Sequence, residues 1–397
     1  MAREPHAGES MPKRIVLCCD GTNNQFGVTV TNVVRLIQAL ADAPDRQVVY
    51  YDPGIGTLPE IGALTRASKW ASERLDLAFA TGLAGKVERA YTYLIDTWEP
   101  GDDVYLFGFS RGAYTVRVLA GLLHTLGLLQ PRAHNLVPYA VRMFGSAPQP
   151  PASFDAFVDL CDGFRGTFAR AIPGRADRRF PVRFLGVWDT VSSVGWVWEP
   201  KSYPYTRVNP SVAVVRHAVA IDERRAFFRQ NLCEAAKGQD VAQCWFAGVH
   251  SDVGGGYPEA DGGLWRPPFE WMLDAARDAG LLVDDARRAA VLDRTPLRDP
   301  DWAGGMHESL RGAWWIAEYF PKLRYDAAAK RRRPHLARAR CRTVPDGATI
   351  HDSALRRIRG LPYAPRGLSP EFLRAVREGP EPRGPVVYRR PAPAPLP

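Results

Sequence analysis

Ser110 lies between Gly108 and Gly112 in the stretch GFSRG, a spacing that suits a nucleophilic hydroxyl. A serine that attacks a carbonyl must project from a tight strand-to-helix turn, and small residues two before and two after it let the backbone fold that sharply. The apolar run VYLF precedes the motif and AYTVRVLAGLL follows it. This context predicts Ser110 as an activated nucleophile rather than a helix-capping serine. In that geometry the backbone N–H of Arg111 opens a helix, where it donates to a developing oxyanion. A second donor is expected from the loop after an earlier strand. The stretch IVLCCDGTNN supplies Gly21, whose backbone permits close approach, and Thr22, which carries an N–H and a hydroxyl. A rival reading takes DGT as the aspartyl loop of a metal-dependent phosphotransferase, but that loop needs a second acid where Thr22 stands.

A base and an orienting acid are expected later in the chain. His250 follows the apolar run CWFAGV and precedes SDVGGGY, whose Gly254, Gly255 and Gly256 permit a tight loop at a sheet edge. His217 is read as beginning a strand, at the wrong end of the sheet, and His351 in IHDSALRRI is a rival on the basic side of the chain. Two strand ends compete for the acid: Asp189 after RFLGVW and Asp222 after HAVAI. Strand count favours Asp222, because the acid usually follows the strand before the histidine's. Asp252 is read as shaping its own loop. The residues alone leave Asp189 and Asp222 both open.

The elements that must position these groups alternate along the chain. Near-continuous apolar runs predict strands at 14–19, 47–52, 103–107, 182–188, 217–221 and 242–248, and amphipathic stretches predict helices at 30–42, 73–98, 111–127, 224–236 and 268–280. This is the pattern of an α/β protein, a mostly parallel sheet covered by helices. The Pro-, Phe- and Arg-rich stretch 128–181 breaks the alternation and reads as an inserted helical cap. The expected organisation is a disordered 1–12, a catalytic domain over 13–285, a C-terminal extension over 286–380 packed on or near it, and a flexible Pro/Arg-rich tail over 381–397.

The chain has 397 residues, 46% of them apolar, ample for a sizeable core. The longest apolar stretch, 113–129, carries Arg117 and His124, so a buried helix is expected there and not a membrane span. The polar N-terminus has no apolar core of a secretory signal, so cytoplasmic synthesis is expected, with non-classical secretion left open. Six scattered cysteines show no metal-ligand spacing and read as reduced thiols. No metal or organic cofactor is expected. The net charge of +9 is uneven: residues 311–397 hold 19 Lys and Arg against 7 Asp and Glu, leaving the first 310 slightly acidic. With Trp314, Trp315, Tyr319 and Phe320 in the same region, this charge predicts a peripheral contact with an anionic membrane, against the plainer reading of a solvated basic face. No recognised nucleic-acid-binding motif accompanies it.

The motifs DGTNN, GFSRGA, FLGVWDTV, AIDERR and WFAGVHSDVGGGY, in that order, followed by IHDSALRR, resemble a large bacterial and fungal family of α/β-hydrolases whose best-known members are type VI secretion phospholipase effectors. The resemblance covers about residues 13–260 and the later motif. It implies an α/β-hydrolase fold and a serine-esterase triad acting on carboxyl-ester lipids, with Ser110 as nucleophile and His250 as base. The VWDTV motif implies Asp189 as the acid, with Asp222 as runner-up. The expected function is hydrolysis of carboxylic esters, lipid acyl esters above all, through an acyl-serine intermediate. The contrasting expectation is an idle scaffold of the same fold serving as a binding module.

Overall fold

The computed structural model describes residues 12–21, 29–54, 68–148, 154–191, 203–226, 228–293, 300–312, 314–319, 322–326, 331–335 and 338–390. In chain order the elements are β1 (Arg14–Cys19), α1 (Asn32–Ala39), β2 (Gln47–Asp52), α2 (Ser68–Thr97), β3 (Asp103–Phe109), α3 (Arg111–Leu126), α4 (Val137–Gly145), α5 (Phe154–Phe168), β4 (Val182–Trp188), β5 (Val212–Ala220) and β6 (Asp240–Phe246). They continue with α6 (His250–Gly254), α7 (Arg266–Asp278), α8 (Asp285–Asp293), α9 (Trp314–Glu318), β7 (Lys322–Asp326), β8 (Arg331–His335), β9 (Thr349–Ile350), α10 (Asp352–Gly360), α11 (Pro370–Glu378) and β10 (Val386–Val387).

Eight of the described strands form one sheet in the order β10-β9-β6-β5-β4-β3-β1-β2. Every pairing is parallel except β10 with β9. Strands β7 and β8 make a separate antiparallel pair. The C-terminal segment thus continues the main sheet, β9 pairing in parallel with β6.

Both faces of the sheet are covered, which is why the central strands read as unbroken apolar runs. Along β3, Val104 and Leu106 point into a core shared with α2, α3, α4 and α5, while Tyr105, Phe107 and Phe109 point into a second core with α1 and α7. A third core, built on Val219, Trp245 and Ile350, receives α10 and α11. The 128–181 segment lays α4 and α5 against α2 and α3.

The helix expected over 224–236 does not form among the described residues there. Several of its backbone donors are taken by side chains. The N–H groups of Arg224 and Arg225 donate to Glu223 Oε1 at 3.0 and 2.8 Å, that of Ala226 to Glu318 Oε1 at 2.6 Å, and that of Cys233 to Gln243 Oε1 at 2.7 Å. Side-chain acceptors, the neighbouring Glu223 and the distant Glu318 among them, override an amphipathic pattern here.

The turn from β3 into α3 depends on two glycines. A Cβ on Gly112 would stand 2.1 Å from the Cys19 carbonyl oxygen at the end of β1, and one on Gly108 would stand 2.6 Å from the Gly112 backbone. We expect Gly112→Ala to cost at least about 2 kcal/mol, because backbone on both sides must shift. Gly163→Ala, on the exposed face of α5 with nothing within 4 Å, should be neutral or stabilise by up to about 1 kcal/mol. Urea denaturation of the two variants beside wild type checks the contrast.

Candidate active site

Parallel register brings the strand ends to one edge. Phe109 of β3 pairs with Trp188 of β4, so Ser110 and Asp189, the next residues, emerge side by side. Ser110 N donates to the Trp188 carbonyl at 3.1 Å, and Asp189 N to the Ala218 carbonyl at 2.7 Å. Ser110 has φ 58° and ψ −122°, and Asp189 has φ 38°. Positive φ in two non-glycine residues at neighbouring strand ends is stored strain of the kind that marks functional sites. Ser110 also caps α3, whose N-terminus, with the Arg111 amide in its first turn, favours negative charge.

His250 enters from β6 as the first residue of α6. Its Nδ1 lies 2.5 Å from Asp189 Oδ2, with both side chains almost fully buried. A carboxylate only accepts, so Nδ1 carries the proton and Nε2 is left as the acceptor. Phe109 stacks on the imidazole with ring centroids 4.6 Å apart, and Phe228 meets it edge-on at 4.8 Å. Burial among these rings pushes the His250 pKa down, outweighing the pull of Asp189, so the ring is neutral at neutral pH. Burial alone would raise the Asp189 pKa, but Arg342 and His250 hold it well below the usual carboxylate range. Structure thus joins Asp189 to His250 and brings Ser110 to the same edge. The described hydrogen bonds include none between Ser110 Oγ and His250.

The glycines after His250 are there for close packing. A Cβ on Gly254 would stand 1.9 Å from the Phe109 ring, and one on Gly255, at φ 80°, would stand 2.6 Å from Arg35 Nη1. Asp252 shapes this loop: its carboxylate accepts from Val249 N at 2.9 Å and meets His307 Nδ1 at 2.6 Å.

The other residues singled out in the sequence fall elsewhere. Asp222 is turned away from His250, and its Oδ2 accepts from Gly248 N at 2.8 Å and from the Tyr363 hydroxyl at 2.6 Å. His217 is not at the start of its strand, because β5 begins at Val212. Its Nε2 accepts from Thr190 N at 3.2 Å beside Asp189, and burial pushes its pKa down to about 3. His351 caps α10 by accepting from Ser353 N at 3.2 Å. Gly21 is buried and its N–H donates to Asp20 Oδ1 at 2.8 Å. Thr22 lies outside the described residues. Among the described residues no group of three or more His, Cys, Asp or Glu is placed to hold a metal ion.

Two buried residues complete the surroundings and were not singled out in the sequence. Glu223 accepts from His250 N at 3.2 Å and Ser309 Oγ at 2.9 Å, and pairs with Arg225 at 2.9 Å. Its AIDERR motif was the available signal. Arg342, from the basic C-terminal region, reaches both oxygens of Asp189, and only a charge count hinted at it.

The family model described as type VI secretion, phospholipase effector Tle1-like, catalytic domain matches residues 13–275, and the chain belongs to that family. It is 34% identical over 237 residues to an uncharacterized protein of Saccharomyces cerevisiae, covering 58% of this chain. The chain spans 34% of that relative's length. Among solved structures, an uncharacterized protein from Pseudomonas aeruginosa aligns with a TM-score of 0.40 at 18% identity, over 70% of this chain and 47% of that one. The Tle1 effector bound to the VgrG spike of the type 6 secretion system aligns with a TM-score of 0.36 at 19% identity, over 64% and 53%.

Burial pushes the Asp222 pKa up to about 6, against the pull of its Tyr363 and Gly248 bonds. A carboxyl raised on folding adds stability that is present below its unfolded value near 4 and is lost as pH rises through about 6. Asp222→Asn should therefore gain on wild type between pH 4 and 6, by up to about 1.4 kcal/mol per pH unit. Urea denaturation of both proteins at pH 4, 5 and 6 measures the difference, and a constant gap would refute it.

Proposed function

We propose that this protein is a serine hydrolase of the α/β-hydrolase type that cleaves carboxylic esters, lipid acyl esters above all, through an acyl-Ser110 intermediate. One observation carries the reading: the buried His250–Asp189 bond of 2.5 Å at the strand edge where Ser110 sits with positive φ. Family membership supports a lipid ester over other esters. In the proposed cycle Ser110 Oγ attacks the ester carbonyl while His250 Nε2 takes its proton, and the imidazolium is stabilised by Asp189. The Arg111 amide, in the first turn of α3, donates to the oxyanion. His250 then returns the proton to the leaving alkoxide, and water repeats the sequence to release the acid.

The proposal extends to a membrane contact through the C-terminal region. Trp315 and Tyr319 are 43% and 65% exposed, while Trp314 packs edge-on against Phe228 at 5.5 Å. Phe320 lies outside the described residues. No described helix is long and apolar enough to cross a membrane, so the contact proposed is peripheral. Exposed aromatics beside basic side chains suit an anionic interface, each Lys or Arg there contributing about 1 kcal/mol.

Three experiments test these readings. Ser110→Ala should abolish fluorophosphonate labelling and lower kcat on a phospholipid or p-nitrophenyl ester by several orders of magnitude with the fold intact. Asp189→Asn should lower kcat by about 10³-fold or more, and Asp222→Asn by far less. The reverse ranking in folded variants would move the acid to Asp222. Co-sedimentation should show binding to anionic vesicles, lost at high salt, and little to neutral ones. Equal, salt-independent behaviour on both would leave the basic region as a solubility feature.

A further inference from the structure

The family match ends at residue 275, yet the C-terminal segment returns to the centre of the site through Arg342. This side chain is buried, and its fork meets the acid end to end: Nη1 to Asp189 Oδ1 at 2.5 Å and Nη2 to Asp189 Oδ2 at 3.0 Å. Nη1 also donates to the Ala220 carbonyl at 3.0 Å, and Nη2 to the Phe228 carbonyl. The guanidinium is therefore fixed by β5, by the loop after it and by the acid itself. A bidentate fork fixes the plane of a carboxylate, which a single imidazole bond does not.

We propose that Arg342 is a positioning residue of the active site. It clamps the plane of the Asp189 carboxylate, sets the pH at which His250 becomes a base, and makes the C-terminal segment part of the catalytic unit. This rests on the proposed roles of Ser110, Asp189 and His250.

The charges around the Asp189–His250 pair decide the sign of the effect. Arg225 is matched by Glu223, which also accepts from His250 N. His217, on β5, is neutral, and Arg117, on α3, spends its guanidinium on the Thr206, Asn231 and Leu232 carbonyls and on Asn231 Oδ1. Arg342 is the cation in direct contact with the acid. Without it, the Asp189 charge acts on His250 unopposed and the pair binds its proton more tightly. The acid limb of activity, which reports neutral His250, then moves to higher pH by about one unit.

The test uses the full chain, with the rate of labelling by a fluorophosphonate from pH 5 to 9 as readout and thermal melting as the check on folding. Arg342→Met should slow labelling by about tenfold to a hundredfold at the optimum and raise its acid limb by about one unit. Arg342→Lys, which keeps the charge and loses the fork, should restore the limb without restoring the full rate. A folded Met variant with an unmoved limb would reduce Arg342 to a structural prop and overturn the proposal. If the Met variant fails to fold, a Lys variant labelled at the wild-type rate overturns the clamp. Wild type that resists labelling, or is labelled equally after Ser110→Ala, would instead sink the serine-hydrolase reading.

Discussion

A carboxylate with no exposed side-chain surface must be paired or it will not stay ionised, and the architecture of this protein meets that requirement at Asp189. Its Oδ1 accepts from Ala220 N at 3.0 Å and from Arg342, and its Oδ2 meets His250 and Arg342. Four separate stretches of chain therefore converge on one charge: the end of β4, the end of β5, the turn after β6 and the C-terminal segment. Each partner arrives from a different part of the sequence, so the charge is satisfied only when the sheet is complete. Removing the Arg342 guanidinium leaves the buried charge without its counter-ion, a loss of roughly 3–5 kcal/mol in comparable settings.

Close backbone packing lets these stretches meet. Gly112 sits against the end of β1, Gly108 against Gly112, and Gly254 against the Phe109 ring that stacks on His250. Phe109, the residue that leads into the strained Ser110 turn, also covers the imidazole, so the turn and the desolvation share one element. The local conformation of the turn and the proton affinity of the proposed base are thus not independent properties.

Much of this was legible in the sequence, for reasons that differ by residue. Strands β1 and β4 read correctly because burial on both faces writes an unbroken apolar run, and β2, a half-exposed edge strand, because its run QVVYYD is β-branched and aromatic. The β3–α3 turn read correctly because its glycines are demanded by backbone contacts. The family likeness was legible from motif order, and the match over 13–275 bears it out. Residues 224–236 misled because an amphipathic pattern says nothing of a buried glutamate that captures the first amides. His217 was misplaced because Arg216 interrupts the apolar run of β5, which begins at Val212. Arg342 was hidden by composition: among 19 basic residues in the last 87, no local pattern marks the buried Arg342 and Arg357. Strand counting favoured Asp222, yet in the folded chain that side chain bonds Tyr363, a partner 141 residues away.

We propose that the edge bearing Ser110, Asp189 and His250 carries out acyl transfer. Its most direct measurement is peptide mapping by mass spectrometry after rapid acid quench of the protein with an excess of a p-nitrophenyl ester. One acyl group per chain is expected on the peptide containing Ser110, formed in a burst and absent from Ser110→Ala and from His250→Ala. Turnover without acylation of Ser110, or acylation at another residue of the wild type, would contradict it.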